Sequence, residues 1–178
     1  VEVLIGDEAA TRGDLFISFR DSNSVFITSD NLKTETEKTL FNLRDKKIAH
    51  YDKDEVNRIE LATKNYTIFI EKSGDEWSMT SPDLPVEMSR VNSYLNSLTN
   101  YSAKEFVAEE FDNPSQYGFD VPEAKLTLSL GEEKATKELV IGKAVKEEDD
   151  TNFYAYESGR TPVFTVRESN KNNVTRDP

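Results

Sequence analysis

The chain has 178 residues, no cysteine, and 34 acidic against 22 basic side chains, for a net charge of −12. Disulfides, zinc–thiolate centres and cysteine nucleophiles are excluded. A surface of that sign, with no basic stripe to offset it, repels nucleic acid and anionic lipid. Hydrophobic residues make up only 36%, but ten Phe and seven Tyr argue against disorder. No apolar run approaches the ~18 residues of a membrane span. The length suits one large domain, or one domain plus a piece of another. The chain starts at Val1 inside a strand-like run, which reads as a fragment of a longer protein, with any export signal or anchor upstream.

Taken in chain order, residues 2–5, 14–19 and 24–28 predict three strands, with "RDSNS" as the turn between the last two. Leu32, Thr36, Leu40 and Leu43 recur at helical spacing and predict a linking helix over about 30–44, capped by Ser29 or Asp30 and broken near Lys33. Three strands follow, at 55–62, 66–72 and 76–81, with Trp77 and Met79 alternating inward. "SPDLP" ends that meander, because proline cannot donate to a ladder. A main helix over about 89–101, capped by Ser89, carries the stripe Val91, Tyr94, Leu95 and Leu98.

A short strand at 104–109 leads to the turn "NPSQYGF", where Gly118 is placed in the left-handed region. "AKLTLSL" at 124–130 alternates cleanly and points Leu126, Leu128 and Leu130 at the helix stripe. "KELVIG" returns, and "NFYAYE" and "PVFTV" make the last hairpin. The fold class is α+β: predominantly antiparallel β-sheet, with one main helix and the linking helix.

The chain repeats itself. "VLIG" at 3–6 returns as "LVIG" at 139–142; Phe16 aligns with Phe153, "SVFIT" at 24–28 with "PVFTV" at 162–166, and "LRD" at 43–45 with "TRD" at 175–177. A period this long means tandem copies of a whole domain rather than a solenoid. Residues 1–45 read as the C-terminal part of a preceding unit, a β-hairpin plus linking helix, and 46–178 as one near-complete unit. A hairpin left without its body cannot bury its apolar face. It is expected to add to a sheet edge of the 46–178 unit, or to pair with a neighbouring molecule.

Motifs that carry chemistry are scarce. His50 is the only histidine, and a relay with Asp52 or Asp54 would need a serine elbow that the chain lacks; a surface or junction-packing histidine is the expectation. "DKDEVNRIE" at 52–60 begins like a calcium loop, but Asn57 stands where its glycine should be. "FDNPSQYGFD" at 111–120 suits a turn better than a metal site. Among 34 acids, some will lie close together by accident, so a glycosidase-like pair has no support. Phosphate-loop and dinucleotide motifs are missing. Trp77 is expected to be a core or half-buried residue. Sequons at Asn65, Asn100 and Asn173 matter only in a eukaryotic secretory route. No catalytic, cofactor-binding or metal-ligating set emerges, and no cofactor is expected.

"LRDKKIAHYDKDEVNRIELA", "VNSYLNSLTNYSAKEFV", "NPSQYGFDVPEAKLTLSLG", "KELVIGK" and "PVFTV", in that order, resemble the bacterial domain-of-unknown-function family numbered 4340. The resemblance covers about 46–178 and repeats its tail over 1–45. It implies an extracytoplasmic envelope protein with an N-terminal membrane anchor outside these residues, tandem copies, and in some members genes beside ABC-transporter components of the gliding-motility type. It carries over no site residue. The expected function is a non-catalytic envelope module, structural or partner-binding, with a protein partner and no nucleic acid. The alternatives are a small-ligand-binding domain of a transport system and, behind it, a carboxylate-dependent glycan hydrolase.

Overall fold

The computed structural model describes residues 2–10, 13–131, 135–146 and 150–176. The chain divides into two compact units, Val1–Asp45 and Lys46–Pro178. Among the described residues no helix is long and apolar enough to cross a membrane.

In the first unit, β1 (Val3–Glu8), β2 (Asp14–Phe19) and β3 (Val25–Ser29) pair antiparallel in a sheet of their own. The linking segment is not one helix. It forms α1 (Asn31–Thr36) and α2 (Leu40–Leu43), parted at 37–39 rather than near Lys33. The Thr36 hydroxyl bonds back to the carbonyls of Leu32 and Lys33 at 3.0 Å, which weakens the helix where it sits. Thr39 is extended, and its N–H donates to Asn42 Oδ1 at 3.0 Å, the start of a new helix.

The second unit contains β4 (Val56–Thr63), β5 (Thr67–Ser73), β6 (Glu76–Ser81), β7 (Asp83–Leu84), α3 (Met88–Asn100), β8 (Glu105–Ala108), β9 (Ala124–Leu130), β10 (Ala135–Lys146), β11 (Thr151–Glu157), β12 (Val163–Arg167) and α4 (Glu168–Val174). Its nine strands lie in the order β7-β6-β5-β4-β9-β10-β11-β12-β8. β8 precedes β9 in sequence yet pairs with β12 at the far edge. Four local features differ from the expectation. Pro82 sits in the tight loop between Thr80 and Asp83, so the sheet gains β7 where "SPDLP" was expected to stop it. β10 runs past "KELVIG" to Lys146, and α4 appears where no helix was read. Glu87, not Ser89, is the N-cap residue of α3. The Ser89 hydroxyl donates to Glu87 Oε1 at 2.6 Å, and that bond, with Arg90 second, holds the exposed Glu87 carboxyl below its usual range.

One face of the sheet is the core. Ile68, Leu61, Leu126 and Leu139 stand opposite one another across β5, β4, β9 and β10, and Ile70, Ile59 and Leu128 form the next row. Against this face pack Val91, Leu95 and Leu98 of α3 and Val174 of α4. Leu126 and Leu128 are buried and Leu130 packs at the margin, as the alternation predicts. Leu128→Ala should cost about 2–5 kcal/mol, from lost apolar burial plus the cavity left. A urea midpoint that falls at constant slope is the expected readout.

The opposite face of β10 and β11 is covered by aromatic rings. Phe111 and Phe119 lie 5.1 and 4.8 Å from Tyr156, and Tyr117 lies 5.1 Å from Tyr154, all between ring centroids. The turn carrying Tyr117 and Phe119 is pinned at Gly118, whose φ of 76° is open to glycine, and by the Lys143 N–H donating to the Tyr117 carbonyl at 2.9 Å. Gly142 lies beneath. A Cβ there would fall on the Tyr117 carbonyl oxygen and 2.8 Å from Phe119 Cδ1.

The β1–β2–β3 ladder has the register of β10–β11–β12. Ile5↔Ile17 and Glu8↔Leu15 flank a bulge in the first sheet, and Ile141↔Ala155 and Ala144↔Phe153 flank the same bulge in the second. Leu15, not Phe16, is thus the counterpart of Phe153, and Phe16 corresponds to Tyr154. Both copies pair these residues with the third strand alike, as Leu15↔Thr28 and Phe153↔Val166.

Candidate binding groove

The second unit holds a groove of about 560 Å³ between the sheet and α3. Its floor is aliphatic: Ile59 and Leu61 from β4, Ile68 and Ile70 from β5, and Met79 from β6. This floor continues the core rows: Ile59, Leu61 and Ile68 are buried, and Ile70 and Met79 are half-buried at the margin. The wall is α3, through Val91, Tyr94, Ser93 and Ser97; the rim is Val86, Glu87, Arg90, Asn173 and Arg176.

Several polar groups around it bond within the domain. The Ser97 hydroxyl donates to the Tyr94 carbonyl at 2.8 Å, Arg90 Nε donates to Glu87 Oε2 at 2.7 Å, and Arg176 Nη2 donates to Asn173 Oδ1 at 3.0 Å. The hydroxyls of Tyr94 and Tyr66 donate to the carbonyls of Val174 and Thr175, at 3.0 and 2.7 Å, and so tie the end of α4 to the groove wall. Burial raises the Tyr94 hydroxyl far above the ordinary phenol range, as it does that of Tyr51, which donates to the Leu95 carbonyl at 2.7 Å. These tyrosines are neutral struts, not proton carriers. The arrangement can hold an apolar group.

His50 is elsewhere, at the entry to the unit. Its backbone N–H donates to Glu157 Oε1 at 2.5 Å, and its Nδ1 lies 2.7 Å from Glu157 Oε2. Arg160 Nη1 lies 3.4 Å from the same Nδ1. Arg160 Nη1 stands 3.6 Å from the same carboxylate and donates to the Lys47 carbonyl at 2.8 Å. Glu157 is fully buried and faces the core side, two places beyond Ala155 and opposite Leu139. The cluster clamps the segment 47–50 onto the end of β11, beside the Lys47↔Ser102 bridge. Of the two placements expected, surface or junction packing, the histidine takes the second, with a partner that was not foreseen. The spacing of Phe153, Ala155 and Glu157 is the signal that could have found it, since period two places a charge on the buried face.

The remaining candidates build turns. Asp52 accepts from the Asp54 N–H at 3.0 Å and caps the 3₁₀ turn Lys53–Glu55. Asn113 accepts from the Ser115 N–H at 3.1 Å, and Ser115 donates to Asp120 at 3.0 Å. Trp77 is half-buried against the core. Among the described residues no three His, Asp or Glu side chains gather as a metal site would require.

Fold and groove define an antiparallel α+β domain with a preformed apolar recess. The chain matches the family model described as Domain of unknown function (DUF4340), over residues 1–84 and again over 77–178, and it belongs to that family. No curated protein and no solved structure matched it.

Proposed function

We propose that the chain is a non-catalytic repeat module of a bacterial envelope protein, held outside the cytoplasm by an anchor elsewhere in the full protein. It works beside an ABC transporter of the gliding-motility type and binds a protein partner, whose apolar side chains enter the α3 groove. The groove carries this reading: its floor is aliphatic, and the Ser97 hydroxyl and the Arg90–Glu87 pair at its rim make contacts within the domain. Leu84 and Met88, exposed on either side of the rim segment in sequence, widen the apolar patch. Family membership supports the location, and a net charge of −12 argues against nucleic acid. The cavity volume, within the roughly 300–1,000 Å³ of small-molecule sites, favours a small apolar ligand as the second reading.

Ser93 is an exposed groove residue, so a photoactivatable cross-linker incorporated at that position labels what enters the groove. In the full-length protein in cells, that linker should capture one defined protein, and Ser97→Leu, which fills the groove, should abolish the capture. Adducts to lipid or small molecules alone would move the assignment to the second reading. Labelling unchanged by Ser97→Leu would remove the groove from both.

A further inference from the structure

The three-stranded sheet is dressed for burial on both faces. Leu15 is buried, as its counterpart Phe153 is, but three other side chains of the sheet whose counterparts are buried stand exposed here: Val3 at 43% against Leu139 at 3%, Ile5 at 37% against Ile141 at 0%, and Phe26 at 46% against Phe164 at 1%. Those three counterparts belong to the core that α3 and α4 cover. The other face repeats the pattern, with Val25 and Ile27 exposed and Val163 and Thr165 buried. Gly6 occupies the place of Gly142. Where Gly142 lies against Tyr117 and Phe119, a Cβ on Gly6 would meet only Phe16, at 3.4 Å or more. The bulge that follows Gly142 is also kept. In the second unit β9 pairs along the free side of β10, whereas among the described residues nothing pairs with that side of β1.

We propose that β1–β2–β3 is an acceptor sheet. Its occupant is a body segment of this same family: a Tyr-Gly-Phe turn that stacks on Gly6, running into an alternating leucine strand that pairs with the β1 edge, with a helix of the α3 type on the other face. Residues 111–130 of this chain have that chemistry, and they are engaged on their own unit. Complementarity of register, bulge and glycine selects this occupant over a generic apolar surface, because only a segment with the same turn needs a bare Cα at Gly6.

The test extends the full chain with residues 46–136 of its own sequence placed ahead of Val1, which supplies the proposed occupant in register. The outward amides of Val3–Glu8 should then exchange about 100-fold more slowly, or less, as edge amides become ladder amides. Gly6→Ala should be silent in the 178-residue chain and should abolish that protection in the extended one. Unchanged exchange in the extended chain overturns the proposal. So does protection that survives Gly6→Ala, since the turn would then not be the occupant. Concentration-dependent dimerisation of the 178-residue chain, with β1 protected in the dimer, also overturns it in favour of a second copy.

Discussion

Gly142→Ala is expected to destabilise the second unit by about 3–4 kcal/mol, from overpacking plus a lost hydrogen bond. The new methyl would land on the Tyr117 carbonyl oxygen and against the Phe119 ring, so backbone and not a flexible side-chain end must yield. The Tyr117 carbonyl also accepts from the Lys143 N–H, one residue beyond the glycine. Displacing the turn therefore breaks that bond and loosens the rings from Tyr154 and Tyr156. Urea denaturation followed by aromatic near-ultraviolet dichroism should show a lower midpoint and a weakened native signal. Gly6→Ala, at the equivalent place in the first sheet, should stay within about 0.5 kcal/mol of the parent, as an ordinary surface change does. A Gly142→Ala chain as stable as the parent would remove the turn–strand contact from the account of the fold.

Glu157→Ala should cost about 3–5 kcal/mol, the usual result of deleting one member of a buried charged cluster. The side chain answers two groups of His50, and Arg160 stands close by. Deletion leaves the His50 N–H without its acceptor and opens a hole on the core face beside Leu139. Glu157→Gln keeps the volume and one acceptor oxygen, so it should cost less, about 1–2 kcal/mol. A double-mutant cycle with His50→Ala separates the side-chain pair from the backbone contact, because that variant retains the residue-50 N–H. If Glu157→Ala and Glu157→Gln are equally mild, the clamp does not hold the junction.

Local pattern carried much of this protein. Residues 124–130 could only be a strand with Leu126 and Leu128 inward, because alternation fits a pleated, half-covered surface and nothing else. Val91, Leu95 and Leu98 defined the buried stripe of α3, and the turn before β9 needed its glycine at positive φ. The repeat was legible too, though loop insertions blurred its alignment by one residue at Phe16, which only ladder register corrected. The groove was not legible. It depends on where α3 lies across β4, β5 and β6, and crossing geometry leaves no local mark. Neither was the His50–Glu157 pair, whose members are 107 residues apart. Nor could the need for a bare Cα at Gly142 be read from its neighbours, since the atoms that demand it belong to a turn more than twenty residues earlier. The sequence by itself determined which residues pair with water and which with apolar partners, because that choice follows from side-chain chemistry and the period of the backbone. Tertiary structure decided which partner each one meets, because strand order and helix placement are set by the closing of one shared core.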